Sequence, residues 1–288
     1  MARRLIIGGV VLALVLTAYG SHQRLEAMDG ADPDRDRLLY LPSGRLLQVL
    51  SLGHPALVAD LIYLWSIQFY GYYRGGVRYD YLIQIYDRVI TELDPRFRDA
   101  YLLGAIILSM EAGRPDDALR LLDKGIAANP EDWILPFEAG FIAYHMKGEF
   151  DRATDYFRES MGRPGAPPVV RRFHAEMYNR SGDKRTSLRH WSEILETAES
   201  TYVRQVAEKH VHDLRLEIDL ADLEDAVRRY RESAGHLPAN LRALLDAGTL
   251  ASLPLDPEGR PYRYDPATGA VSSRARFALQ RPTADAGR

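Results

Sequence analysis

The chain has 288 residues, of which 46% are hydrophobic and 27% are charged, a composition typical of a folded protein with a sizeable core. Its formal net charge of −3 gives no electrostatic reason to expect nucleic acid as a partner, because no excess of cations is available to displace counterions. Cysteine is absent, which excludes disulfides, thiolate metal sites and a cysteine nucleophile.

The chain begins with a short apolar run. Arg3 and Arg4 precede an uncharged stretch at residues 5–20, whose length suits either a signal-peptide core or a short membrane span. Residues 1–20 are therefore predicted to be a transmembrane anchor or a signal segment. We favour the uncleaved anchor, although the small residues Ala18 and Gly20 would permit cleavage. The two arginines predict a single pass through the inner (cytoplasmic) membrane with the bulk of the protein in the periplasm.

The next segment, residues 21–37, is polar and is predicted to be a linker. An unusually apolar stretch follows at residues 38–73, with Pro55 in the first turn of a predicted helix and Asp60 near its start. Four apolar residues recur in this helix at helical spacing, Leu57, Leu61, Leu64 and Ile67. We expect them to be buried in the first helix pair of the fold. Alternatively, the aromatic helix 55–73 lies on a membrane or docks on an integral membrane partner.

A repeat of about 34 residues follows. Three similar segments begin at Gly113, Gly148 and Gly182, which are 35 and then 34 residues apart. Small residues stand five places after each glycine, at Ala118, Ala153 and Ser187. Bulky residues stand nine places after each glycine, at Leu122, Phe157 and Trp191. The pattern predicts helix pairs in which glycine permits the turn, the small residue allows close approach, and the bulky residue fills the gap to the next pair.

These segments resemble the tetratricopeptide repeat (TPR) family, in which two antiparallel helices per unit stack into a right-handed solenoid. The resemblance implies an all-α fold, with a TPR-like α/α solenoid over residues 38–218. It also implies a concave groove lined by the first helix of each unit. In that register the partner-binding residues are Glu138, Ile142, His145, Met146, Arg172, Glu176, Asn179 and Arg180. Mixed charge beside apolar side chains suits an extended peptide or a partner helix.

The carboxy-terminal part, residues 219–288, is predicted to be a small cap made of a helix, a β-hairpin and a flexible tail. Residues 201–233 contain neither glycine nor proline, which predicts one long helix or two joined helices ending at Gly235. The sequence LPLDPEGRPYRY at residues 253–264 resembles the carboxy-terminal end of major pseudopilins of type II secretion. That resemblance makes Asp256 and Asp265 calcium candidates, although Glu258 stands where those proteins usually carry tryptophan.

Signatures of catalysis are scarce. The sequence has no phosphate-binding loop, no G-x-S-x-G, no H-E-x-x-H and no convincing dinucleotide fingerprint. His210 and His212 are two residues apart, so on a helix they point in different directions and are not predicted to share a metal. We therefore expect a scaffold without cofactor or metal that binds protein partners in a secretion, pilus or export assembly. The alternatives are an accessory subunit of an integral membrane complex docking through helix 55–73, or an enzyme with an unrecognised site.

Overall fold

The computed structural model describes residues 17, 41–72 and 78–277, which divide into two compact units between Ala100 and Tyr101. Apart from Thr17, the predicted anchor or signal segment at residues 1–20 lies outside the described residues, as do the linker at 21–37 and the end of the tail. Within the described ranges, no helix combines the length and apolar character that a membrane crossing needs. The domain boundary predicted at residue 218/219 is at a different position from this division and stays a prediction.

In the first unit, residues 41–72 and 78–97 form three helices. They are α1 (Gly44–Leu50), α2 (Pro55–Tyr72) and α3, which runs from Arg78–Ile85 through a π-helical turn at Tyr86–Ile90 to Thr91–Leu93. Ser43 caps α1 by accepting a hydrogen bond from the backbone N–H of Leu46. Gly44 lets α1 approach α3 closely, because a Cβ there would lie 2.6 Å from the Cβ of Glu92. The start of α1 is therefore fixed by a cap and by a contact that only glycine allows.

The core of the first unit lies between α2 and α3. Tyr86 is 1% exposed, and its hydroxyl lies 3.0 Å from the hydroxyl of Ser66. This hydrogen bond satisfies two polar groups that would otherwise be costly to bury. The ring of Tyr63 also packs on Phe97, with 4.8 Å between centroids. The inward face of α2 therefore combines a small polar residue with large aromatic neighbours.

The predicted orientation of α2 is wrong. Its buried residues are Ala59, Ile62, Ser66 and Phe69. The four residues expected in the core are exposed instead: Leu57 at 58%, Leu61 at 59%, Leu64 at 57% and Ile67 at 40%. Apolar residues of this helix lie on most of its sides, so their spacing alone could not indicate which side is buried. The face with Ser66 and Ala59 packs inward because it offers a hydrogen bond to Tyr86 and permits close approach.

The second unit consists mainly of consecutive helix pairs. The first pair is α4 (Arg98–Ile106, extended by a π-helical turn at Ile107–Glu111) with α5 (Pro115–Ala128). The second is α6 (Ile134–Ile142, extended by a π-helical turn at Ala143–Lys147) with α7 (Phe150–Met161), and the third is α8 (Pro168–Ser181) with α9 (Lys184–Glu196). Each helix packs on the next one in the chain. The division between the units falls in the first turn of α4, and the predicted all-α, TPR-like arrangement of helix pairs is present.

The repeat positions have the predicted roles. Gly113, Gly148 and Gly182 have φ angles of 64°, 66° and 95°, a left-handed conformation that favours glycine. The small residues Ala118, Ala153 and Ser187 are all fully buried, and so are the bulky residues Leu122, Phe157 and Trp191, to within 2%. Each pair therefore closes on a small residue of its second helix, while the bulky residue of that helix fills the core.

A long helix, α10 (Thr201–Ala234), follows the pairs and contributes to two hydrophobic clusters. Its first half, including Ala207 and Leu214, packs with Trp191 and Ile194 of α9. Its second half supplies Leu223, Ala226 and Val227 to a different cluster, which also contains Leu244, Tyr262 and Val271. One continuous helix therefore belongs both to the last repeat and to the carboxy-terminal core.

The carboxy-terminal segment forms a short helix, α11 (Arg242–Asp246), and a hairpin in which β1 (Arg263–Tyr264) pairs antiparallel with β2 (Val271–Ser272). The side chain of Tyr262 donates a hydrogen bond of 3.0 Å to Asp219 on α10. The side chain of Tyr264 donates one of 2.9 Å to the carbonyl oxygen of Pro238. The alternating tyrosines therefore anchor a two-stranded hairpin that would be marginal alone.

Candidate protein-binding face

The first helices of successive repeats stand side by side in the second unit. Phe137 of α6 contacts Phe173 of α8, with 5.5 Å between ring centroids. On the other side of α8, the carboxylate of Glu176 lies 3.9 Å from Nδ1 of His210 on α10. We call the solvent-facing side of α6, α8 and α10, including the π-helical turn that extends α6, the first-helix face. It carries seven of the eight residues predicted to bind a partner.

The exception is Ile142, which is 5% exposed and packs in the core. Its prediction as a partner-binding residue is wrong, because a side chain covered by its own repeat cannot touch a bound segment. Glu138, one turn earlier on α6, is only partly exposed, and burial raises the pKa of its carboxyl. His145 and Met146 are exposed, and the ring of His145 stacks on Phe141 with 5.5 Å between centroids.

Wide turns shape the ends of the first helices. The backbone N–H of Ala112 bonds to the carbonyl of Ile107, five residues earlier, at 3.0 Å, and that of Gly148 bonds to the carbonyl of Ala143. Such π-helical turns are uncommon and often occur at functional sites. Each turn contains an exposed methionine. Met110 is 66% exposed in the turn that ends α4, and Met146 is 41% exposed in the turn that ends α6. Two adaptable apolar side chains thus stand at equivalent ends of successive repeats.

Glu176 is the centre of a polar network on α8. It accepts a hydrogen bond of 2.8 Å from Nε of Arg180 and a long one of 3.5 Å from the amide of Asn179. The carboxylate in turn raises the pKa of the Arg180 guanidinium. With His210 nearby, three of the four predicted α8 residues and one unpredicted residue belong to a single network. Its charges are largely compensated within the face.

Arg172, one turn earlier on α8, is placed differently. Its guanidinium carbon lies 5.9 Å from the ring centroid of Tyr202, which is 66% exposed at the start of α10. Its Nε is buried and has no hydrogen-bond partner within residues 41–72 and 78–277. The residue as a whole is only partly buried, so the terminal nitrogens of its guanidinium can donate to a segment that binds beside it.

His210 and Tyr202 were not predicted from sequence as parts of this face. His210 stacks on Trp191 with 3.9 Å between centroids and 6° between planes, and burial lowers the pKa of its imidazole. His210 stands 34 positions after Glu176, so extending the repeat register into α10 would have identified it, whereas Tyr202 stands 34 positions after Pro168, which is not a predicted binding position. Met110 likewise stands 35 residues before His145. The repeat register therefore extends to α4 and α10, beyond the two helices that carry the eight predicted residues.

The calcium candidates serve the hairpin. Asp256 is 4% exposed and accepts hydrogen bonds from the hydroxyl of Ser273 at 2.7 Å and from the backbone N–H groups of Glu258 and Arg260. Burial alone would raise the pKa of Asp256, but these hydrogen bonds lower it below its usual range. Asp265 accepts from the hydroxyl of Thr268 in the hairpin turn. Within the described ranges, no three histidine or acidic side chains are grouped so as to hold a metal ion.

No protein-family model matches the chain, and no curated protein matches it. Similar solved structures include MamA, with 14% identity over 70% of this chain and 100% of that chain and a TM-score of 0.42. PilW, described as a widely conserved type IV pilus biogenesis factor, has 16% identity over 67% of this chain and 86% of its own, with a TM-score of 0.38. TTC0263, a TPR protein of Thermus thermophilus, has 18% identity over 58% and 96%, with a TM-score of 0.35. With scores this low, the fold assignment rests on the chain's own helix pairs.

Proposed function

We propose that the protein is a non-catalytic scaffold that binds an extended peptide or a helix of a protein partner along the first-helix face. The observation that carries the proposal is the partly exposed guanidinium of Arg172 beside the exposed ring of Tyr202. A fixed donor next to a large amphipathic ring is a combination enriched at the centres of protein interfaces. The nearby ionisable groups pair with one another, which suits recognition better than bond chemistry.

The complementary segment would have a defined chemistry. An acceptor, such as a carboxylate or a backbone carbonyl, would satisfy Arg172. Apolar side chains two or more residues away along the segment would cover Met146 and the exposed part of Tyr202. The Glu176 network, in which Arg180 already compensates the carboxylate, would act as a polar rim that fixes the register of the bound segment.

The setting that we propose is the cell envelope, with the chain tethered by its amino-terminal segment and its bulk in the periplasm. This part of the proposal is supported by sequence alone, through Arg3, Arg4 and the apolar run at residues 5–20. A secretion, pilus or export assembly would be the partner complex. The test is protease treatment of cells with a permeabilised outer membrane, which should digest everything beyond about residue 21. Protected full-length protein in the cytosol would refute the tether.

The binding face is tested by reversing two charges, Arg172→Glu together with Arg180→Glu. Partner capture from solubilised membranes by the tagged full chain should fall at least about tenfold, because arginines are frequent hot-spot residues. Helicity measured by circular dichroism should stay nearly unchanged, since surface substitutions usually cost under about 0.5 kcal/mol each.

A matched control reverses two arginines on the second helices, Arg120→Glu on α5 together with Arg158→Glu on α7. Both arginines are exposed and pair with an aspartate of their own helix, so the control changes the net charge by the same amount as the test variant and loses at least as many ion pairs. The control should capture partners normally. Equal capture by both double variants would show that the first-helix face does not bind.

A further inference from the structure

The outer side of α2 is an apolar surface that the described part of the first unit leaves exposed. Leu57, Leu61, Leu64 and Ile67 follow one another at intervals of four, three and three residues, so they form one stripe along about three turns of the helix. All four are between 40% and 59% exposed. We call them, together with Asp60, the outer stripe. An apolar row of this length on a solvent-exposed surface marks an interaction site.

Asp60 decides which kind of surface can cover the stripe. It is exposed and stands three residues after Leu57 and directly before Leu61, so any cover over the stripe also covers its carboxylate. A bilayer offers no partner for a buried carboxylate, which makes lipid a costly cover. Interfacial helices that do bind lipid carry many lysines and arginines, and α2 carries none.

A second copy of α2 is no better suited. In a twofold symmetric pair the same patch meets itself, and neither α2 would supply a cation for either Asp60. The carboxylate therefore calls for a basic group that α2 itself does not carry. A lysine or arginine within an otherwise apolar partner would convert the cost of burying Asp60 into a charge-assisted hydrogen bond.

From this charge pattern we infer that the outer stripe docks an apolar helix of a second protein, which presents one lysine or arginine opposite Asp60. A helix fits because α2 runs for 18 residues, about 27 Å, and its side chains at three- and four-residue spacing can interdigitate with side chains at the same spacing on a partner helix. The inference does not depend on the first-helix face. It concerns another surface, in the other compact unit.

The test uses the absence of cysteine from the chain. Gln68→Cys, at an exposed position beside the stripe, gives a unique site for an environment-sensitive fluorophore on the full chain. The labelled protein, in maltoside micelles, is titrated with two synthetic helical peptides, each about 20 residues long. Both carry a leucine stripe, one with a central lysine and the other with a central glutamate. The lysine peptide should bind at least about tenfold more tightly, as expected for a hydrogen bond to a charged group.

Substitutions at Asp60 check that the selectivity comes from this carboxylate. Asp60→Asn should bind both peptides with equal affinity, and Asp60→Lys should prefer the glutamate peptide. Neither change should alter helicity, because Asp60 is exposed. The Arg172→Glu, Arg180→Glu variant should bind the lysine peptide normally, so failure of the first-helix face and failure of the outer stripe can be told apart.

Several outcomes would overturn the inference. One is equal affinity of the wild type for the two peptides, or no binding of either. Another is quenching of the fluorophore by nitroxide lipids in phosphatidylcholine vesicles without peptide, which would identify the bilayer as the cover. A third is a dimeric mass by light scattering that becomes monomeric in Leu61→Ser, which would identify a second copy.

Discussion

Helix α2 of the first unit and helix α7 of the second use apolar residues in opposite ways. On α7 the apolar residues share one side: Ala153 and Phe157 are fully buried, while Asp151 and Arg158 face outward. On α2 apolar residues occur on every side, and four of its large aliphatic residues face outward. A one-sided pattern fixes which face is buried. When apolar residues occur on all sides of a helix, packing decides which side is buried. The apolar side that is not buried remains available for another molecule.

The largest expected effect comes from the buried side of this comparison. Phe157→Ala should lower the free energy of unfolding by about 3–5 kcal/mol, because the ring is fully buried and stacks on Phe173 with 5.4 Å between centroids. Gly140 leaves no substitute atom to fill the cavity, since it packs directly against this ring. Urea denaturation followed by circular dichroism measures the loss. A change below about 1 kcal/mol would contradict the repeat core.

A pH effect should arise from a second buried side chain. His174 is 3% exposed and packs against the ring of His190, with 5.0 Å between centroids. Burial, followed by the nearby charges of His190 and Arg158, lowers the pKa of His174 from 6.5 to about 4, with Asp155 acting in the opposite direction. As the pH falls below 6.5, the unfolded chain takes up a proton that the folded chain does not. Stability present above pH 6.5 is therefore lost progressively towards pH 4, by up to about 3 kcal/mol.

The measurement is the unfolding free energy between pH 7 and pH 5, where most carboxylates have not yet been protonated. In His174→Phe the decline should be shallower than in the wild type, because the variant lacks this titrating group while its ring fills a similar volume. Parallel pH profiles for the two proteins would assign the decline to other groups.

The smallest effect on stability is expected at the outer stripe. Leu61→Ser should change the unfolding free energy by less than about 0.5 kcal/mol, since the side chain is 59% exposed. Measured beside Phe157→Ala in the same denaturation assay, Leu61→Ser gives the difference in unfolding free energy between an exposed residue of α2 and a buried residue of α7. A loss above about 2 kcal/mol would show that Leu61 is a core residue, as its spacing first suggested.

The repeat could be predicted because its positions have a physical reason visible in sequence. Gly113, Gly148 and Gly182 adopt left-handed φ angles, and Ala118 and Ala153 have no space for a larger side chain. Requirements of this kind restrict residue type at a fixed spacing, which makes them readable without a structure. The long helix that ends at Gly235 was also predictable, because no glycine or proline within it interrupts helix formation.

The candidate site was less predictable. The register puts the other seven candidates on the first-helix face, but it also placed Ile142 in the groove, although the side chain of Ile142 belongs to the core. The π-helical turn starting at Ala143 changes how the end of that helix is wound, and no residue type announces such a turn. The unpartnered donor of Arg172 lies beside Tyr202, which is on another helix later in the chain. Contacts of that range follow from stacking of the repeats and are not encoded in local spacing.

Helix α10 has a consequence for how the second unit comes apart. It is 34 residues long, about 51 Å, and each of its halves completes a different hydrophobic cluster without a break between them. Stacked repeats ordinarily fray one by one from their ends, because each is supported only by its neighbours. Here the terminal repeat shares its backbone with the hairpin core, so melting either one shortens the helix that supports the other. Hydrogen exchange should accordingly show that the amides of both halves open together, as one cooperative unit at the end of the stack.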